Sequence, residues 1–239
     1  MASSQSKQHE RNLDASYTVT IQMMRDICSF GEASVCMLNA ATEGDGLRFQ
    51  GSAGFYELKQ NLWAIISNNH VVQFTDNEFI CGITLTFDLH GGFGVKMRAE
   101  YVEHVTTSPN LDATIIEITE EFMLKLKKLG VNFLKVKRAE ANQQVALISC
   151  SNGAFSFDKG VIESVERFTL SYYMASGNGS SGSPILTWDF FAVGIHKGRG
   201  EHSGIMALGV IRYGTTLKDI IKFHRSSSSF PIFKYRLLF

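Results

Sequence analysis

The sequence predicts an all-β protein, a sandwich or barrel of many short antiparallel strands interrupted by two helices. Short runs rich in Val, Ile, Phe and Tyr recur along the 239 residues, and Gly, Asn and Asp punctuate them. Strands do not alternate with crossover helices, which argues against a doubly wound α/β sheet. A hydrophobic content of 44% suffices for a substantial core in a chain of this length.

In chain order, residues 1–15 (MASSQSKQHERNLDA) are polar and are expected to form a disordered leader. From Ser16 to Phe30 two patterns compete. Tyr17, Val19, Ile21 and Met23 alternate like a strand, whereas Ile21, Met24 and Cys28 fit one helical face. From Ser34 onward strand-like runs dominate: Ala33–Leu38, Leu62–Ser67, Ile83–Phe87, Val95–Val102, Ala113–Ile118 and Gln144–Ser149. Gly160–Val165, Phe168–Tyr173, Phe190–His196 and Ile205–Ile211 continue them, and Gly51–Tyr56 reads as the hairpin partner of Leu62–Ser67.

One helix is expected over Thr119–Gly130. Thr119 can cap it, Glu120 and Glu121 fall in its first turn, and Lys125, Lys127 and Lys128 lie near its end. Gly130 stops it, and Phe122, Leu126 and Leu129 share a face. Its mid-chain position suits a connection between two β-units. The second helix, Thr216–His224, places Leu217, Ile220 and Ile221 together. Beyond it come Ser226–Ser229 and FPIFKYRLLF, compatible with a docking strand or with a partner-binding peptide.

Lys plus Arg equals Asp plus Glu at 23 each, so no global field attracts nucleic acid or an anionic membrane. Seven histidines are scattered without metal-ligand spacing, and neither a metal nor an organic cofactor is expected. The N-terminus lacks a signal-peptide core, and no run approaches the ~18 apolar residues of a membrane helix. Cys28, Cys36, Cys81 and Cys150 therefore read as free thiols, with Cys36 and Cys150 in the core. A cytoplasmic protein is expected, and the nucleus is also compatible.

The stretch Gly177-Asn-Gly-Ser-Ser-Gly-Ser-Pro-Ile-Leu186 fits two templates. As G-x-G-x-x-G it is a dinucleotide fingerprint, which requires a helix to leave the glycines. Here Pro184-Ile-Leu-Thr-Trp188 and the strand-like FFAVGIH follow instead, and the G-x-S-x-G elbow fails because Ser183 occupies its last glycine. As G-x-S-G-x-P it is the nucleophile loop of a serine peptidase, with Ser181 attacking. A serine hydroxyl needs a histidine to take its proton and a carboxylate to hold that imidazole's tautomer. His70 lies at the end of the apolar run in Trp63-Ala-Ile-Ile-Ser-Asn-Asn-His70, and Asp112 precedes the β-branched run in Asn110-Leu-Asp112-Ala-Thr-Ile-Ile. Alone, a strand-end histidine and a turn-forming aspartate are unremarkable. Together, the order His70, Asp112, Ser181 is that of the chymotrypsin arrangement.

With SNNHVV, LDATIIEI and GNGSSGSPI, supported by GVIESV and AVGIHKG, the chain resembles a trypsin-like serine peptidase of the chymotrypsin fold. Its style is similar to the HtrA-like and glutamyl-endopeptidase-like branches and to intracellular members. The resemblance implies two six-stranded antiparallel β-barrels, about 30–118 and 131–213, joined by a helix at 119–130. A C-terminal helix at 216–224 would complete a peptidase domain of 16–225, followed by the tail 226–239.

The resemblance also implies roles. Ser181 would attack the scissile carbonyl, His70 would serve as base and then acid, and Asp112 would orient the imidazole. The backbone N–H groups of Gly179 and Ser181 would form the oxyanion hole. Ala175 and Ser176 would line the primary pocket, facing Gly194–Gly200. Ala175 carries no charge, which argues against a preference for Lys or Arg. His196, in a G-x-H setting, is either a reader of Glu or Gln at P1 or an ordinary strand-end histidine. Ser180 stands where secreted members carry an aspartate that pairs with a new N-terminus, and no such start occurs near residue 16. Activation through that switch is therefore not expected. The implied partners are protein or peptide substrates, plus a regulatory protein docking at the termini. The rival expectation is a catalytically silent protease-fold module that binds peptides or proteins.

Overall fold

A computed structural model of the chain describes residues 19–42, 48–72, 83–89, 93–151, 154–166, 169–174, 179–199, 211–217, 220–222 and 225. The expected leader 1–15, the tail 226–239, Cys81 and all of Ile205–Ile211 but its last residue lie outside these.

The first element is a helix, α1 (Ile21–Glu32), which resolves the ambiguity before residue 30. Thr20 caps it, its Oγ1 accepting the Met23 N–H at 3.2 Å. Its buried face is Ile27 and Gly31, while Ile21 is 71% exposed. A Cβ on Gly31 would sit 1.8 Å from Ile148 Cδ1, so the glycine lets the helix press against the second sheet.

Two sheets follow. The first contains β1 (Val35–Thr42), β2 (Arg48–Lys59), β3 (Leu62–Ser67), β4 (Ile83–Leu89), β5 (Phe93–Lys96), β6 (Val102–Ser108) and β7 (Ala113–Ile118). They are ordered β5-β4-β1-β2-β3-β7-β6, all antiparallel. The second contains β8 (Lys135–Val136), β9 (Gln144–Ser151), β10 (Ala154–Val165), β11 (Thr169–Tyr173), β12 (Pro184–Thr187), β13 (Phe191–Arg199) and β14 (Ile211–Thr216). Their order is β12-β9-β10-β11-β14-β13-β8, and β12 also pairs with β13. That pairing closes six strands into a ring, to which the two-residue β8 adds in parallel. The molecule is thus the two-barrel, mainly antiparallel protein that the sequence predicts.

The run Val95–Val102 is not one strand. It ends at Lys96, turns through a 3-10 segment at Ala99–Tyr101, and resumes as β6. The turn buries Tyr101, which stacks on Phe122 with centroids 4.7 Å apart. Phe122 belongs to the linking helix α3 (Glu120–Lys128), itself preceded by the one-turn α2 (Asn69–Val72). Thr119 caps α3 by accepting the Phe122 N–H at 3.3 Å. Phe122, Met123 and Leu126 are buried, but Leu129 sits at the C-cap and is 37% exposed.

Strand periodicity explains the unbroken apolar runs in β3, β7 and β9. Successive side chains point to opposite faces. Ile65 and Ile116 fill the first barrel, while Ile66, Ile115 and Ile148 enter a core shared between the barrels. Leu147 turns the other way, into the second barrel with Val145, Leu170 and Val193. Strands buried on both faces leave no polar face to alternate with. The shared core also takes Ile27, Leu217 and Ile220; the last two, with Ile221, are helical and buried, as the apolar spacing near the C-terminus anticipates. Cys36 and Cys150 are buried free thiols and Cys28 is half-buried. Among the described residues no helix is long and apolar enough to cross a membrane.

Candidate active site

His70 lies in α2, directly after β3. Two side chains set that turn. Asn68 donates through Nδ2 to the Asp112 carbonyl oxygen at 2.9 Å, and Asn69 Oδ1 accepts hydrogen bonds from Thr107 on β6 and Thr114 on β7. Both asparagines therefore fasten the end of β3 to the strands around Asp112.

Asp112 closes the turn between β6 and β7. Its backbone is left-handed, φ 50°, which aspartate tolerates better than most residues. Asp112 N–H donates to the Pro109 carbonyl oxygen at 3.1 Å, and Leu111 N–H donates to Ser108 Oγ at 3.2 Å. This tight turn aims the carboxylate at His70. Oδ2 is 2.8 Å from His70 Nδ1, and Oδ1 accepts the His70 backbone N–H at 3.0 Å. The carboxylate is largely covered, at 10% side-chain exposure, while the imidazole is 48% exposed. A neutral imidazole that donates from Nδ1 leaves Nε2 unprotonated, the form a general base requires.

Ser181 arrives from the second barrel on the loop before β12. The loop seats on the rim from which His70 projects. Its carbonyl oxygen accepts the N–H of Ser52 on β2 at 2.8 Å. Gly182, at φ +86°, packs so closely that a Cβ would lie 2.1 Å from the Ser52 carbonyl oxygen and 2.4 Å from Ser67 Oγ. Ser67 is the last residue of β3, three before His70. Gly182 N–H donates to the His196 carbonyl oxygen at 2.9 Å, and His196 N–H donates to that of Ser183 at 2.8 Å. Within the described residues no hydrogen bond joins the Ser181 hydroxyl to His70, and neither Gly179 N–H nor Ser181 N–H donates to another backbone group. Gly179 is left-handed, φ +84°.

Of the other expected site residues, Ala175 and Ser176 lie outside the described residues. His196 is buried on β13, and its Nδ1 meets the Tyr172 hydroxyl from β11. Ser180 is buried as well, and its hydroxyl donates to Ser149 Oγ on β9 at 3.2 Å rather than to any charge. Sequence reasoning missed Ser52, Ser67, Asn69 and Ser149. Strand serines carry no local mark of such a position.

No protein-family model and no curated protein sequence matches the chain. Solved structures do. The chain is similar to the active form of the Rv3671c protease from M. tuberculosis, with TM-score 0.63 and 13% identity over 87% of this chain and 86% of that one. It is similar to a serine endoprotease from Yersinia pestis, with TM-score 0.61 and 14% identity over 87% and 67%. Deg5 matches with TM-score 0.60 and 14% identity over 84% and 91%. At such identities the likeness is one of fold, and it agrees with the two curled sheets described above. The chain has the two-barrel fold of the chymotrypsin-type serine proteases.

Proposed function

We propose that the chain is a serine endopeptidase in which His70, Asp112 and Ser181 form the catalytic triad. The carrying observation is the His70–Asp112 pair, with Nδ1 and Oδ2 2.8 Å apart on the rim where the Ser181 loop docks. His70 Nε2 takes the Ser181 proton as Oγ bonds to the scissile carbonyl carbon. The carbonyl oxygen gains negative charge beside the N–H groups of Gly179 and Ser181. Collapse of the tetrahedral adduct breaks the C–N bond, His70 protonates the departing amine, and an acyl-enzyme remains. Water then repeats the sequence and frees Ser181. Asp112 stabilises the transient imidazolium throughout.

The reading extends to a preference for Glu or Gln at P1. His196 is buried on β13 with the Tyr172 hydroxyl at its Nδ1, and an imidazole N–H is a donor suited to a Gln amide oxygen or a Glu carboxylate. Ala175 and Ser176 belong to the same proposed pocket. The free thiols Cys28, Cys36 and Cys150 suit a reducing, intracellular setting. The domain limits drawn from the sequence, and a regulatory partner at the termini, stand in the same proposal.

A second reading, a silent protease-fold module that binds peptides, draws on the absence of a Ser181–His70 hydrogen bond among the described residues. A fluorophosphonate probe separates the two. Wild type is expected to label, and Ser181→Ala and His70→Ala are not. A wild type that stays unlabelled would favour the binding module. A peptide library dominated by P1 Lys, Arg or large aromatics would remove the Glu or Gln preference alone.

A further inference from the structure

We infer that Ser52 is a positioning residue for the nucleophile loop, acting through its hydroxyl; this rests on the serine-peptidase reading above. Ser52 is fully buried on β2, a strand of the first barrel, yet its side chain is spent on the second. Its Oγ accepts the N–H of Cys150 on β9 at 3.0 Å. The same oxygen lies 2.9 Å from the Gly179 carbonyl oxygen and 3.0 Å from that of Cys150, so its single proton serves those two acceptors.

The backbone of Ser52 adds two more links. Its N–H donates to the Ser181 carbonyl oxygen at 2.8 Å, and its carbonyl oxygen accepts the Ser67 hydroxyl at 2.8 Å. Gly179 and Ser181 are thus tied by their carbonyl oxygens to one residue, and that residue is tied to the strand leading to His70. Pinning the carbonyls on both sides of Ser180 restricts rotation of the peptide units between Gly179 and Gly182. The Ser181 N–H belongs to one of them. A glycine at φ +84° has other conformations open to it, so something outside the loop must hold it. Within the described residues the Gly179 carbonyl oxygen receives that restraint from the Ser52 hydroxyl.

The expected signature is a slower chemical step with a retained fold. In Ser52→Ala, the second-order rate of Ser181 labelling by a fluorophosphonate should fall roughly 100-fold, the scale of a lost oxyanion donor. Hydrogen exchange should accelerate in the peptide containing Gly179–Ser183 and stay unchanged in β3 and β7. Ser52→Thr keeps the hydroxyl and should recover labelling to within about tenfold of wild type. Labelling of Ser52→Ala at the wild-type rate would overturn the proposal while leaving the peptidase reading intact. Equal slowing of the Ala and Thr variants would also overturn it, by assigning the effect to packing. An unlabelled wild type would sink both readings, and unaltered loop exchange in Ser52→Ala would sink the restraint directly.

Discussion

The carboxylate of Asp112 holds His70 at two points, Oδ2 2.8 Å from the imidazole Nδ1 and Oδ1 3.0 Å from the backbone N–H. The second bond fixes the turn and the first fixes the ring, so one side chain sets both the place and the tautomer of the imidazole. Replacing the carboxylate by an amide should separate these effects. Asp112→Asn can still accept from the His70 N–H through its oxygen, but an NH₂ facing Nδ1 forces the imidazole proton onto Nε2. Labelling of Ser181 is expected to fall on the order of 10⁴-fold with a largely retained melting temperature. A loss of only a few-fold would count against the triad assignment.

Gly182 has room for a hydrogen and nothing larger. In Gly182→Ala the new methyl would overlap the Ser52 carbonyl oxygen and Ser67 Oγ, on a backbone at φ +86°. The left-handed backbone and the overlap together should cost about 2–5 kcal/mol of stability. Urea melts measure that cost, and probe labelling should fall with it because the loop cannot dock on β2 and β3.

Cys150 couples stability to alkaline pH. Burial, with a smaller effect from Asp88, pushes its thiol up to about 11 from an ordinary 9.0, and burial holds Cys36 well above the usual range too. In the unfolded chain these thiols ionise from about pH 9, whereas the folded chain keeps them neutral. The Cys150 contribution is therefore complete below about pH 9 and is lost as pH rises toward 11. Urea midpoints measured across that window should fall, and fall less steeply in Cys150→Ala. At pH 8 in the native protein, iodoacetamide is expected to modify the half-buried Cys28 before Cys36 or Cys150.

Tyr172→Phe tests the proposed P1 pocket. The hydroxyl on His196 Nδ1 disappears while the ring keeps its place in the second barrel. Selectivity for Glu or Gln over other P1 residues is expected to drop about tenfold, with labelling by the small fluorophosphonate little changed. A P1 profile identical to wild type would detach His196 from recognition.

Thr119 gives a stability control remote from the site. Its side chain caps α3, and Thr119→Ala should cost about 1 kcal/mol without altering labelling. Denaturant melts and probe kinetics on the same samples check both halves.

Much of this protein was legible in one dimension. The period-2 and continuous apolar runs at Leu62–Ser67 and Ala113–Ile118 marked strands with the bounds observed, and Thr119 with the acidic first turn marked α3. Elements that the sequence left open or ran together were those settled by packing. Burial of Gly31 against Ile148 helps decide that residues 21–32 are helical with Ile27 inward, and the seat of Tyr101 on Phe122 breaks the run after Lys96. His70, Asp112 and Ser181 could be nominated because their immediate neighbours carry recognisable patterns. Ser52 could not. Its partners Cys150 and Gly179 lie 98 and 127 residues away, and a hydroxyl's hydrogen bonds leave no periodic trace along the chain. Local sequence determined which segments were strands and which residues were chemically suited to a site. Only the docking of two barrels decided which serine hydroxyl bridges them, because short directional bonds between distant strands exist only after both have folded.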